Sequence, residues 1–326
     1  MNLSVAIRQI PLAQPVRVAF GTISAMDVVE VQIEHDGAIG RGEACPMSIY
    51  HQSAAATVRE IETLASTIEQ GGLDRVGLQR ALPARAARNA LDCAFWDLEA
   101  KQAGRSVWEL TGLERPVTIS SDVTIGILTP DETAAAAEAR RDAAMVKLKL
   151  GGEHDLECVR ALRSVLPNVP LFVDANCGWT LDKLNAIAPA LAEAGVFMIE
   201  QPLPQGDDRL LDGYNKAVPL CADESCHDRA DLDRLAGRYQ HVNIKLDKTG
   251  GLTEALALAE EARARGFRLM VGCMIGTGIA MAPAYVVASL CETVDLDAPL
   301  VVRDPADARL RHDGRLLHAF HADLWG

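Results

Sequence analysis

The sequence predicts an α/β fold, a TIM-like (β/α) barrel preceded by an α+β domain, and three observations carry that prediction. Between residues 117 and 297 lie eight short apolar runs that end in polar or charged residues; from the second onward they recur roughly every 25 residues, the length of one strand plus one helix. Ahead of them, residues 3–10 and 27–34 alternate apolar and polar side chains as half-buried strands do. From Ser53 to about Leu110 the spacing becomes helical and alanine-rich.

Each element follows in order. The N-terminal alternation, with Asp36-Gly37, Gly40 and Gly42 supplying hairpin turns, reads as a small antiparallel sheet. In the helical stretch Ala87, Leu91, Ala94 and Leu98 share a face, and the Asp and Trp residues around them read as core packing. The barrel strands are expected at Val117 to Ile125, Val146 to Leu150, Leu171 to Asp174, Val196 to Glu200, Pro219 to Asp223, Val242 to Lys245, Leu269 to Gly272 and Thr293 to Asp297. The helices between them fit, as in Thr253 to Arg265, where Ala255, Leu256, Ala259 and Ala262 form the inward stripe. After about residue 305 the repeat stops, and Leu310 to Phe320 reads as a hairpin that turns at Asp313-Gly314 and returns to the N-terminal sheet. The expected division is a capping domain at residues 1–115, completed by 306–326, and a catalytic barrel at 116–305.

Composition narrows the function class. A net charge of −13 over 326 residues argues against a nucleic-acid partner and is common among soluble cytosolic enzymes. The eight cysteines are scattered, with no Cys-x-x-Cys pair, which fits buried thiols in the reducing cytoplasm. The first residues lack the long apolar core of a signal peptide. Leu269 to Cys291 carries no charge and is long enough to cross a bilayer, but Gly272, Gly276, Gly278 and Pro283 make it a buried strand, a glycine-rich loop and a buried helix. No membrane association is expected.

In barrel enzymes the reacting groups sit at the C-terminal ends of strands. Those ends read Lys149, Asp174, Glu200, Asp223, Lys245 and the pair Asp295 and Asp297. One carboxylate there could simply cap a helix, but three in register, flanked by lysine-bearing strands, suit a hard divalent cation such as Mg²⁺ above the barrel mouth. Lys147 and Lys149, two apart on one strand, point to the same face. Two adjacent cations on a buried-looking strand depress each other's pKa, and a neutral lysine is a base. Lys149, expected to be the deeper of the two, lies four strands round the ring from Lys245, so the two face each other across the cavity. With a base on each face, a proton can leave a carbon acid from one side and return from the other, inverting the stereocentre. His51 and His227, without paired acids, read as structural.

Lys147-Leu148-Lys149, Asp174-Ala175-Asn176, Ile199-Glu200-Gln201-Pro202, Asp223-Glu224-Ser225, Lys245-Leu246-Asp247 and Gly272-Cys273-Met274 together resemble the muconate-lactonizing-enzyme subgroup of the enolase superfamily. The resemblance covers nearly the whole chain and implies an enolase-type barrel, one Mg²⁺ held by Asp174, Glu200 and Asp223, and proton transfer by Lys149 and Lys245 through an enediolate. Asp295-Leu296-Asp297 resembles the motif with which dipeptide epimerases hold a substrate's α-ammonium group, and paired carboxylates suit a cation. Residues 221–227 and 243–257 look particularly like L-Ala-D/L-Glu epimerases, in which Thr124 and Lys147 would also contact substrate. Members of the family often assemble, so the implied partners are a dipeptide and a second copy of the chain.

The region expected to hold the second residue's side chain lacks a cation in Val18 to Ile23 and in Met274 to Ile279; Arg17 is the nearest candidate. Ala-Glu is therefore the family default, with small or apolar second residues expected as well. Three other readings stay open: a cycloisomerase or dehydratase of the same superfamily, which needs no ammonium clamp; a non-catalytic metal- or peptide-binding barrel; and a Schiff-base aldolase.

Overall fold

The computed structural model describes residues 1–18, 21–302 and 310–326; of residues 14–18 and 21–23 it describes the backbone alone. Arg17 and the Val18 to Ile23 loop thus lie outside the described side chains.

The N-terminal alternation forms β1 (Asn2–Val18), β2 (Gly21–His35) and β3 (Ala38–Ala44), an antiparallel sheet in the order β1-β2-β3. Asp36-Gly37 makes the β2–β3 turn, with φ of 49° and 79°. Gly40 and Gly42 are not turn residues; they lie inside β3. A Cβ on Gly40 would sit 2.1 Å from the Ala94 carbonyl and one on Gly42 2.0 Å from that of Ala90. Both glycines let the Ala86–Ala103 helix lie directly against the sheet. That helix is buried almost all round, because the barrel covers its other side: Trp96 Nε1 donates to Thr253 Oγ1 at 2.9 Å. Its Asp97 is structural, accepting from Arg41 N, Lys101 Nζ and Gly326 N.

The first expected barrel strand divides. β4 (Thr118–Ser120) lies outside the barrel, and β5 (Val123–Ile125) opens it. Then come β6 (Val146–Lys149), β7 (Leu171–Asp174), β8 (Val196–Glu200), β9 (Leu220–Ala222), β10 (His241–Ile244), β11 (Arg268–Gly272) and β12 (Thr293–Asp295), each parallel to its neighbour in chain order. Between β12 and β5 there is no regular ladder. Single bonds close the seam there: Asp122 N donates to Val294 O at 3.1 Å, and Ser121 Oγ bridges Val294 O and Leu296 N. The charge-free stretch resolves into β11, a loop and the Gly278–Ala288 helix, and among the described residues no helix is long and apolar enough to cross a membrane. All eight thiols are free.

The C-terminal hairpin does form, but β13 (Leu316–His318) pairs with β4, not with the N-terminal sheet. β4 offers an unpaired edge beside it, whereas the N-terminal sheet is reached by the last residues of the chain instead. Trp325 is fully buried, and its Nε1 lies 3.0 Å from Arg41 O and 3.1 Å from Cys93 O. Trp325→Ala should cost about 3–5 kcal/mol in urea unfolding, through the lost packing and the lost indole hydrogen bond. A loss below about 1 kcal/mol would show that the tail does not tie the two parts together.

Candidate active site

Strand register places the polar strand ends in one layer. Thr124 is paired with Lys147, Lys149 with Asp174, and Asp174 with Glu200, while Asp223 follows β9 by one residue. In the order β5 to β12, β6 and β10 are separated by the three acid-bearing strands, so Lys149 and Lys245 stand on opposite sides of the ring.

The side chains form a connected ionic network. Lys147 Nζ lies 3.0 Å from Asp174 Oδ2, 2.8 Å from Glu200 Oε2 and 2.7 Å from Asp295 Oδ2. Lys149 Nζ donates to Asp174 Oδ2 and to Asn176 Oδ1 at 2.7 and 2.8 Å. Lys245 Nζ meets Asp223 Oδ2 at 2.6 Å, and Lys248 Nζ takes Asp223 Oδ1 at the same distance. Asn243 Nδ2 donates to Glu200 Oε1 at 2.7 Å. On the last strand, Asp297 Oδ2 accepts from Thr124 N at 2.9 Å, which brings Thr124, Lys147, Asp295 and Asp297 together at the seam.

Two expectations about the lysines are corrected here. Lys147, at 2% exposure, is the deeper one; the Lys149 side chain is 26% exposed. Nor does its neighbour make Lys147 neutral. Burial works against its charge, but Asp174, Asp295 and Glu200 together hold its pKa well above the usual lysine value. Lys245 follows the same logic: burial opposes its charge, and Asp223 and Glu200 hold it raised.

One ammonium cannot neutralise every acid around it. Burial alone would raise Asp174, yet Lys147 and Lys149 hold it below the usual carboxylate range. Glu200, buried beside Asp174, is pushed up to about 8. Its Oε2 faces Lys147 Nζ in an ion pair that lacks hydrogen-bond geometry. The three acids turn towards the lysines: among the described residues no three acidic, His or Cys side chains stand at metal-binding separation. The donor set nonetheless fits a hard divalent cation, being all oxygen and drawn from three adjacent strands.

Several supporting residues carried no signal strong enough to single them out. Gln201, held at φ 33°, accepts from Asp223 N and Ser225 N through Oε1 and so fixes the loop that presents Asp223. Asn243 was findable, since it precedes Lys245 by two as Lys147 precedes Lys149. Lys248 sits one helical turn beyond Lys245. The capping domain reaches in as well: Asp247 Oδ1 accepts from Cys45 N and Asn89 Nδ2, and Glu43 receives both Thr277 N and Thr277 Oγ1. His227 packs edge-on against Tyr50, with ring centroids 5.3 Å apart, and His51 caps a turn.

Comparison with known proteins decides the family. Residues 2–112 match the mandelate racemase/muconate lactonizing enzyme N-terminal domain, and residues 132–316 match the enolase C-terminal domain-like model. The chain belongs to the enolase superfamily, within the mandelate racemase/muconate lactonizing enzyme group. This superfamily member is 45% identical to the L-Ala-D/L-Glu epimerase of Escherichia coli K12, over 89% of its length and 90% of the relative's. It is 40% identical to an N-acetyl-D-glutamate racemase of a Pseudoalteromonas species, over 88% and 91%. Among solved structures, an Agrobacterium tumefaciens enolase family member with homology to dipeptide epimerases, bound to sodium and L-Ala-L-Glu, superposes with a TM-score of 0.95 at 38% identity, covering 99% of each chain. A Methylococcus capsulatus dipeptide epimerase complexed with Mg and L-Arg-D-Lys gives 0.87 at 31%, covering 98% of this chain and 97% of that one. With epimerases and racemases as its relatives, this enolase-superfamily enzyme is an isomerase.

The network predicts how the site fails. Lys147→Met leaves Asp174, Glu200 and Asp295 buried without their shared cation and should lower stability at neutral pH by about 3–5 kcal/mol in urea unfolding. Adding Asp295→Asn should return part of that loss. An additive double mutant would mean that the two groups do not interact in solution.

Proposed function

We propose that this enzyme is a Mg²⁺-dependent dipeptide epimerase that inverts the α-carbon of the C-terminal residue by proton transfer between two lysines. The observation that carries the reading is the placement of Lys149 and Lys245 on opposite sides of the ring, with Asp174, Glu200 and Asp223 on the arc between them.

Asp174, Glu200 and Asp223 would hold the cation. Bound there, Mg²⁺ supplies positive charge against the negative charge that builds on the substrate carboxylate as the α-proton leaves. Lys149 and Lys245 take and return that proton, one entering as the amine and the other as the ammonium. Each pairs in this structure with a carboxylate assigned to the cation, so a bound cation would compete with both lysines for those oxygens. Lys147 remains a fixed cation beside the substrate carboxylate. Asp295 and Asp297 receive the α-ammonium group, with Thr124 setting Asp297 through its N–H.

The second side chain would enter beneath the capping domain, where Met26, Met47, Met274 and Ile275 pack partly buried against Ile10, Leu12, Val28 and Cys45. That apolar lining supports small or apolar second residues alongside Glu. An N-acyl amino acid, the kind of substrate the Pseudoalteromonas relative's name gives, has no ammonium for Asp295 and Asp297 to receive.

L-Ala-L-Glu and L-Ala paired with apolar second residues should exchange the α-proton of the C-terminal residue in D₂O with Mg²⁺, whereas N-acetylglutamate should exchange at least about 100-fold more slowly. Exchange of the N-acetyl compound alone would transfer the assignment to N-acylamino-acid racemisation. Lys149→Ala should abolish exchange of one epimer and spare part of the other's, with Lys245→Ala giving the mirror-image pattern. Turnover surviving both substitutions would exclude the two-base mechanism.

A further inference from the structure

We propose that Asp122 is a positioning residue of the ammonium clamp: its carboxyl carries a proton and donates it in a hydrogen bond to Asp295. This rests on the reading that Asp295 and Asp297 receive the substrate's ammonium group.

Asp122 lies one residue ahead of β5, at the seam, and is fully buried. Its main chain is pinned by the bond from its N–H to Val294 O, the carbonyl that also accepts from Ser121 Oγ. Neither carboxyl oxygen receives a hydrogen bond from any N–H or O–H donor among the described residues. The group it touches is the carboxyl of Asp295. Two carboxylates only accept, so in contact and out of water they repel; one shared proton converts that repulsion into a hydrogen bond.

The charges around Asp122 are Asp295 and Asp297 from β12 and the following loop, and Lys147 from β6. Burial and the two acids, outweighing Lys147, raise the Asp122 carboxyl well above the usual range. The same count explains its use. Asp295 and Asp297 already offer two carboxylates to one substrate ammonium and share Lys147 with Asp174 and Glu200; an ionised Asp122 would add a further uncompensated negative charge. Lys147 holds Asp295 Oδ2, so a second bond from Asp122 fixes the plane of that carboxylate before substrate arrives. Among the described residues of the clamp, Asp297 is engaged by Thr124 and Asp295 is itself the acceptor, which leaves this second bond to Asp122.

The test compares the wild type with Asp122→Asn, which keeps a donor of the same shape and cannot ionise, and Asp122→Ala, which removes it. At neutral pH and without substrate, infrared difference spectra of wild type minus D122N should contain the carbonyl stretch of a protonated carboxylic acid. In D₂O exchange assays D122A should raise KM for L-Ala-L-Glu about 10-fold or more, the equivalent of one charge-assisted hydrogen bond, with kcat changed less. D122N should rescue KM to within about 3-fold of wild type. Absence of the carbonyl band overturns the proposal, as do equal KM values for D122N and D122A. The infrared arm needs neither D122A nor a substrate, so it decides the matter even where D122A misfolds. A wild type that carries the band yet exchanges no dipeptide would instead overturn the dipeptide reading and with it the role given to the clamp.

Discussion

The ammonium group of Lys147, enclosed by Asp174, Glu200 and Asp295, is the interaction on which the rest of the site depends. Three buried acids from three strands cannot sit at one barrel mouth without a counter-charge, because the cost of leaving each unpaired is several kcal/mol by order of magnitude, roughly 3–5 for a broken pair. Lys147 supplies that charge from the centre. It leaves Lys149 and Lys245 to the two flanks, where each is held by a single acid of the arc. Its contact to Asp295 also joins the region proposed for the cation to the region proposed for the substrate's ammonium. A substrate that brings a carboxylate at one end and an ammonium at the other then meets a cation and an anion pair in matching order.

That layer is kept in place from outside the barrel. Asp247 follows Lys245 by two and is bonded to the main chain at Cys45 and to Asn89, so the capping domain grips the loop next to a proposed base. Burial pushes the Asp247 carboxyl up to about 6, a sign of how little water reaches this joint. Glu43 holds Thr277, the N-cap of the helix that follows β11, by accepting from both Thr277 N and Thr277 Oγ1. The loop after β11 is thereby positioned by the same sheet that lies against the second-residue cluster. The cluster proposed for the second side chain and the placement of Lys245 thus share one mechanical support.

Much of this was legible in the sequence because each strand carries its chemistry at its own end. Apolar runs at a steady interval define the barrel, and Lys147, Lys149, Asp174, Glu200, Asp223, Lys245, Asp295 and Asp297 are read directly off the strand termini. What escaped depends on contacts between distant residues. Gly40 and Gly42 look like turn glycines until the Ala86–Ala103 helix is laid against them. The hairpin at 316–318 has two sheets it could join, and local patterning does not choose between them. The charge of Lys147 could not be foreseen from Lys149 alone, since the acids that raise its pKa arrive from residues 174, 200 and 295. Asp122 is invisible for the same reason: a single acid before a short strand reads as a loop residue until Asp295 closes the ring against it.

The most direct test of the account is a crystal structure of the enzyme with Mg²⁺ and L-Ala-L-Glu. The account predicts the dipeptide ammonium on Asp295 and Asp297, the α-carbon of the C-terminal residue between Lys149 Nζ and Lys245 Nζ, and the Mg²⁺ on Asp174, Glu200 and Asp223. An α-carbon with both lysines on one face, or an ammonium group away from Asp295 and Asp297, would contradict it.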